Sequence, residues 1–289
     1  MSLARPSPER LHPARAALLA LALAPLLAVM AGCAALRTGP QAELAPAEAW
    51  SRFRAGQQAL AASPGDFSLK ASFYFSSAGR TNRTILDFWG NRDYPLRLNI
   101  RAGVGATLAL MREDADGLLV FHPTENKAYR HSDSRTAVSA MGLDLPFNLR
   151  DLAALLTGPA TRLLPAEYAS VRQEGGLYVY AMSQDLPVAE VRLHPDGRLA
   201  SFSGHGAGLW SIAVEAYRQV GGASVPERLA MAVPPSQSAT LRVRSLDLRA
   251  SPWPPAALSL ELPPGAETII APPASHGIDA AFPDTGARN

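Results

Sequence analysis

Phe67-Ser68-Leu69-Lys70-Ala71-Ser72-Phe73-Tyr74-Phe75-Ser76 alternates an apolar side chain with Ser, Lys or Tyr over ten positions. Successive side chains of a strand point to opposite faces, so this stretch has one greasy face and one wettable face. That is the pattern of a half-buried antiparallel strand. Working outward, the same period recurs. Ser77-Ala78-Gly79-Arg80 turns the chain and Thr84–Trp89 returns it. Leu96, Leu98 and Ile100 alternate with Arg97, Asn99 and Arg101. Gly103-Val104-Gly105 interrupts the pattern before Ala106–Met111, and Gly117 precedes Leu118–His122. Pro123-Thr124-Glu125-Asn126 then turns into Lys127–Arg130.

Further on, strands are expected at Leu177–Met182 and Val188–Leu193. His194-Pro195-Asp196-Gly197-Arg198 marks a hairpin, because Asp-Gly readily adopts the tight turn that joins antiparallel strands. Leu199–Ser203, Trp210–Arg218, Glu227–Val233 and Thr240–Leu248 continue the meander. Upstream, Trp50, Phe53 and Leu60 fall near one face of a helix that starts at Pro46 and is stopped by Ser63-Pro64-Gly65. In the middle, residues 135–164 are rich in Ala, Leu and Met and predict two short helices. Asn148 caps the one that carries Leu149, Leu152, Leu155 and Leu156. The expected fold class is α+β: one domain over residues 46–273 with about ten antiparallel strands and a few short helices. Residues 274–289, Pro- and Ala-rich, read as a disordered tail.

The N-terminus carries a second message. Arg5, Arg10 and Arg15 precede an apolar run that ends in Met30-Ala31-Gly32-Cys33, the only cysteine of the chain. A basic segment, a short apolar segment and small residues describe an export signal. The run is shorter than the roughly 20 residues that a spanning helix needs. Small residues before a cysteine resemble the bacterial lipobox, with Met30 where Leu is usual. The resemblance implies a signal peptide over 1–32, lipidation of Cys33 and a tether over 33–45. Ala34 and Ala35, in place of an Asp after the cysteine, point by analogy to the periplasmic face of the outer membrane.

The chain has 27 Lys and Arg against 25 Asp and Glu, and the leader holds three of the basic residues and one of the acidic. The remainder is balanced and has no basic cluster, which argues against nucleic acid and against electrostatic membrane docking. His122, His131, His194, His205 and His276 have no ligand spacing, so no metal is expected. No Gly-x-Ser-x-Gly elbow is present. Gly204-His205-Gly206-Ala207-Gly208 is followed by strand pattern rather than the helix that a dinucleotide pyrophosphate requires. Neither an enzyme nor a cofactor is expected.

The order of these elements, with Gly142-Leu143-Asp144-Leu145-Pro146-Phe147-Asn148-Leu149-Arg150-Asp151 through Gly158 in the middle, resembles the outer-membrane lipoprotein receptor LolB and the wider LolA/LolB superfamily. Arg97–Ala106 and Trp210–Tyr217 with Val225–Leu229 are similar to other parts of that pattern. The resemblance implies an incomplete barrel, a curved sheet lidded by helices, whose apolar concave face holds acyl chains of lipoproteins or lipids. Exposing one 16-carbon chain to water costs on the order of 12 kcal/mol, so passage across an aqueous gap needs a container. Expected cavity residues are Phe67, Phe73, Phe75, Leu98, Ile100, Leu110 and Leu177. Val104, between two glycines, takes the place of the family's membrane-contact residue. Expected partners are acyl chains, the membrane through the anchor, and a periplasmic carrier protein. The alternative is an accessory outer-membrane lipoprotein that binds an envelope protein. A filled concave face would favour that role, and an open cavity the carrier.

Overall fold

The computed structural model describes residues 43–270 apart from positions 78, 104, 136–144, 184–186 and 206–209. Cys33 with its leader, the tether up to residue 42, Val104 and the tail 274–289 lie outside the described residues.

The first meander comprises β1 (Asp66–Ser77), β2 (Arg80–Asn91), β3 (Leu96–Ala102), β4 (Thr107–Asp114), β5 (Gly117–His122) and β6 (Lys127–His131). The second comprises β7 (Ser170–Glu174), β8 (Leu177–Ala181), β9 (Val188–Leu193), β10 (Leu199–Gly204), β11 (Ser211–Val220), β12 (Ala223–Val233) and β13 (Gln237–Arg249). A short β14 (Glu267–Ile270) follows. All belong to one large, curved, unclosed sheet in the order β14-β6-β5-β4-β3-β2-β1-β13-β12-β11-β10-β9-β8-β7. The meanders join where β1 pairs antiparallel with β13, Phe67 opposite Leu248 and Phe73 opposite Leu241. Only β14 runs parallel to its neighbour, β6.

The class is α+β, as expected, but 14 strands replace the expected ten or so. Two of the unexpected strands are the sheet's edges. In β7, Ser170, Arg172, Gln173 and Glu174 are all exposed, and β14 is four residues long. A strand that packs only one side chain against the core, as β7 does with Val171, has too little apolar pattern to alternate visibly, so period two does not reveal it. Charged side chains on such an edge also discourage pairing with another chain.

Helix α1 (Pro46–Ala61) has the expected bounds, and Trp50, Phe53 and Leu60 are buried on its inner face. Covering each such side chain contributes about 1.5–3 kcal/mol. Its first turn is tied to β8 by two phenols: Tyr178 donates to the Leu44 carbonyl at 2.6 Å and Tyr180 to that of Pro46 at 2.7 Å. At its other end, Arg92 donates Nη1 to the Leu60 carbonyl at 2.9 Å and Nη2 to that of Pro64 at 2.8 Å. These bonds occupy acceptors that a helix C-terminus leaves free.

Of the two short helices expected in the middle segment, one is described, α2 (Leu149–Thr157), followed by a 3₁₀ turn at Ala160–Arg162; residues 136–144, where the other would fall, lie outside the described residues. Asn148 caps α2 as expected, its side chain accepting the Asp151 N–H at 2.8 Å. Seven of the nine α2 residues are buried, Arg150 and Asp151 excepted. A helix apolar nearly all round belongs inside, and α2 packs against β3, β12 and β13. It is a core element more than a lid.

A strap of chain after β13 covers the opposite face of the first meander. It contains α3 (Pro255–Leu258). Trp89 donates to the Ala257 carbonyl at 3.0 Å, Arg112 to that of Leu258 at 3.1 Å, and Arg97 to that of Ser259. Beneath it lies a second apolar cluster of Leu119, Phe121 and Ala128, with Leu110, Leu260, Leu262 and Ala266 packed around them.

Candidate functional site

The seven expected cavity residues do not all fall in one place in the described structure. Phe67, Phe73, Phe75, Leu98 and Ile100 share one cluster with Trp50 and Phe53 of α1 and Leu152, Leu155 and Leu156 of α2. The two helices fill the face that these strands present. Among the described residues, a void of about 10 Å³ lies near Leu145, Phe147, Leu152 and Ile212, barely room for one water molecule. Leu110 sits in the strap-covered cluster on the other face of the sheet. Leu177 alternates with Tyr178 and Tyr180, which point into the main core, and is itself only half-buried. These two therefore stand apart from the cluster that holds the other five. Their strands are apolar on both faces, and alternation cannot say which face is inner.

The space lies elsewhere. A half-open groove of about 560 Å³ runs along α1. Phe53, Gly56, Gln57 and Leu60 of the helix form one wall, and the β11–β12 turn around Val220–Ala223 forms the other. Leu155, Gly158 and Ala160 contribute the floor, with Leu199, Tyr217 and Leu248 along the sheet. This volume falls within the roughly 300–1,000 Å³ of small-molecule sites. None of the seven expected residues lines it.

Two glycines let the walls come together. Gly158 ends α2 at φ +107°, and a Cβ there would lie 2.7 Å from Leu60 Cδ1. Gly197, at φ +85° in the expected β9–β10 hairpin, sits so close to α1 that a Cβ would stand 2.9 Å from the Ala49 carbonyl oxygen. The same hairpin brings charge to one end of the groove. Arg198 and Asp196 form an ion pair at 2.6 Å, and the Arg198 guanidinium lies 5.9 Å from the Tyr217 ring centre. Burial pushes the Asp196 carboxyl up, but the backbone N–H and guanidinium of Arg198 outweigh it and hold it below the usual range. The Tyr217 hydroxyl donates to the Leu199 carbonyl at 2.6 Å, and burial raises its pKa. Arg52, across from the hairpin on α1, is exposed and has no acidic partner among the described residues. Gln57 is 9% exposed, and its side-chain oxygen finds no hydrogen-bond donor.

Sequence reasoning missed this groove because its walls come from α1, two hairpin turns and the end of α2, far apart along the chain. The available signal was glycine: Gly56, Gly158, Gly197, Gly221 and Gly222 all line it. Among the described residues no cluster of His, Cys, Asp or Glu could hold a metal ion. No described helix is long and apolar enough to cross a membrane.

A curved, unclosed antiparallel sheet with a few helices packed on it is the α+β architecture that the sequence led to expect. Among solved structures the chain is similar to a DUF1329 family protein from Desulfovibrio piger, with a TM-score of 0.51 and 13% identity over 74% of this chain and 97% of that one. It is also similar to a domain described as an outer membrane lipoprotein-sorting protein from Vibrio parahaemolyticus, with a TM-score of 0.49 and 12% identity over 71% of this chain and 94% of that one. A LolA superfamily protein from Nitrosomonas europaea gives a TM-score of 0.48 and 10% identity over 73% and 97%. No family model and no curated protein matches the chain.

Proposed function

We propose that this protein is a lipid-anchored envelope protein that binds an acyl chain in the groove along α1 and passes it on without bond chemistry. The observation that carries this reading is the groove itself, about 560 Å³ walled by Phe53, Leu60, Leu155, Leu199 and Leu248. Burial of methylenes there supplies affinity, at about 0.8 kcal/mol each. Release follows when a membrane or another carrier offers the chain equal cover. Cys33 is the anchor, and the outer membrane's periplasmic face is the location, by the lipobox resemblance. Handover to the bilayer falls to Val104, which stands between Gly103 and Gly105 in the sequence linking β3 to β4. A Val104→Glu variant should then load normally and deliver to liposomes more slowly.

The groove is tested by blocking it from its exposed rim. A fluorescent acyl probe should bind the wild-type chain saturably. Ala59→Trp and Ala223→Trp, both at groove positions outside the packed core, should abolish uptake while leaving the circular dichroism unchanged. Undiminished binding in both variants would sink this site. A second reading, an accessory protein that binds an envelope partner, is favoured by the filled inner face of the sheet. It predicts no saturable probe binding by folded wild-type protein.

A further inference from the structure

We infer that the groove takes a single-chain phospholipid with one negative charge and a free hydroxyl, a lysophosphatidylglycerol-like molecule, rather than the multi-chain anchor of a whole lipoprotein. The inference rests on the acyl-binding reading above and adds the identity of the ligand's head and the number of its chains.

Volume sets the number of chains. If a methylene occupies about the 30 Å³ of a water molecule in the liquid, sixteen carbons need roughly 500 Å³. The groove offers about 560 Å³, enough for one chain and far short of three. The void described in the packed core next to it measures about 10 Å³.

Charge sets the head. The charged side chains that line the groove are Arg52, Asp196 and Arg198. Asp196 and Arg198 neutralise each other at 2.6 Å, which leaves Arg52 as the groove's net charge, with Glu48 one turn away on α1 but no ion pair to it among the described residues. One net positive charge at the mouth of an apolar groove matches a phosphodiester monoanion. Arginine also presents a planar fork of donors suited to phosphate oxygens.

Gln57 supplies the third requirement. It stands five residues further along α1, roughly 7.5 Å by helix rise, on the same groove. Its amide is nine-tenths buried and its oxygen has no donor. A buried acceptor left unpaired is costly, so its retention here points to a donor that arrives with the ligand. A glycerol hydroxyl a few bonds from the phosphate fits that spacing, with the chain then continuing past Leu60 toward Leu248.

The experiment uses the full chain, stripped of co-purified lipid, loaded with a fluorescent 16-carbon acyl probe. Lysophosphatidylglycerol, lysophosphatidylcholine, palmitate and diacyl phosphatidylglycerol are titrated as competitors. Lysophosphatidylglycerol should displace the probe at about ten-fold lower concentration than the zwitterionic lysophosphatidylcholine, the scale of one charge-assisted hydrogen bond. Arg52→Gln should erase that advantage. Gln57→Leu should weaken lysophosphatidylglycerol several-fold and leave palmitate unchanged. Diacyl phosphatidylglycerol should compete poorly. Equal displacement by the two lysolipids, with the probe bound normally, overturns this inference and leaves acyl binding standing. Failure of the folded chain to bind the probe overturns both.

Discussion

The Glu113 carboxylate of β4 accepts the backbone N–H of Leu149, the first residue of α2, at 2.6 Å. It also accepts the Tyr94 hydroxyl at 3.1 Å, and its side chain is wholly excluded from solvent. The anchor point of the central helix is thus a buried acid. Burial pushes its pKa up to about 7, with Asp151 adding repulsion, against the donors from Leu149, Tyr94 and Ser134. Arg150, whose guanidinium lies 4.7 Å from the Tyr94 ring centre, is occupied by its ion pair with Asp93.

A pH dependence of stability follows, with a definite sign. Glu113 moves from its ordinary 4.5 to about 7 in the folded protein. Between those values the folded state holds more protons than the unfolded one, so stability falls as pH rises. The contribution is complete below about 4.5 and is lost as pH passes through 7, amounting to roughly 3 kcal/mol at most. Glu113→Gln keeps an oxygen for the Leu149 N–H and has nothing to ionise. Urea unfolding at pH 5 and pH 8 should show the variant gaining on the wild type as pH rises. A constant difference between the two would refute the assignment.

Gly158 provides a test of how α2 is held against α1. Alanine there must adopt φ +107° and push its Cβ into Leu60. Strain of this kind costs on the order of 1–3 kcal/mol. Thermal unfolding of Gly158→Ala should therefore shift downward by several degrees, and probe binding at the groove floor should weaken with it. Gly79→Ala, at a positive φ with open space around it, should cost less.

The helix over 46–61, the Asn148 cap and the Asp196-Gly197 hairpin were all legible because each is a local rule: periodicity, a side-chain acceptor at N-cap, a turn dipeptide. The edge strands β7 and β14 were not, since each has a single half-buried side chain, Val171 and Ile269, too few to impose a visible alternation. Whether the strand face was open or filled was not legible for a different reason. Phe67, Phe73, Leu98 and Ile100 have the same pattern whether a lipid or α2 lies over them, and the occupant is a tertiary fact. Leu110 shows the limit most clearly, because its cover, the strap through Leu260 and Leu262, lies some 150 residues away along the chain.

Ile100 separates core from groove experimentally. It is 4% exposed and belongs to the cluster that includes α2. Ile100→Glu places an unpaired charge in that packing, at a cost of several kcal/mol. The expected outcome is a chain that unfolds or aggregates, seen as loss of soluble protein. Soluble, folded Ile100→Glu that has merely lost probe uptake would restore the strand face as the binding surface.

The strap supports the last prediction. Trp89 and Arg112 hold the Ala257–Leu258 carbonyls, and β14 then lies along the edge of β6. Trp89→Phe keeps the ring's bulk and removes only the hydrogen bond at 3.0 Å to Ala257, so it should lower stability by about 1 kcal/mol. A chain ended after Arg249 loses far more. It uncovers Leu119, Phe121 and Ala128 and leaves the backbone groups of β6 unpaired at an exposed edge. An apolar, unpaired edge recruits other chains. Size-exclusion chromatography should show the truncated protein as aggregates while Trp89→Phe runs like the wild type. If the truncated chain is monomeric and unfolds at the wild-type urea midpoint, the strap is an ornament of the fold and not part of its core.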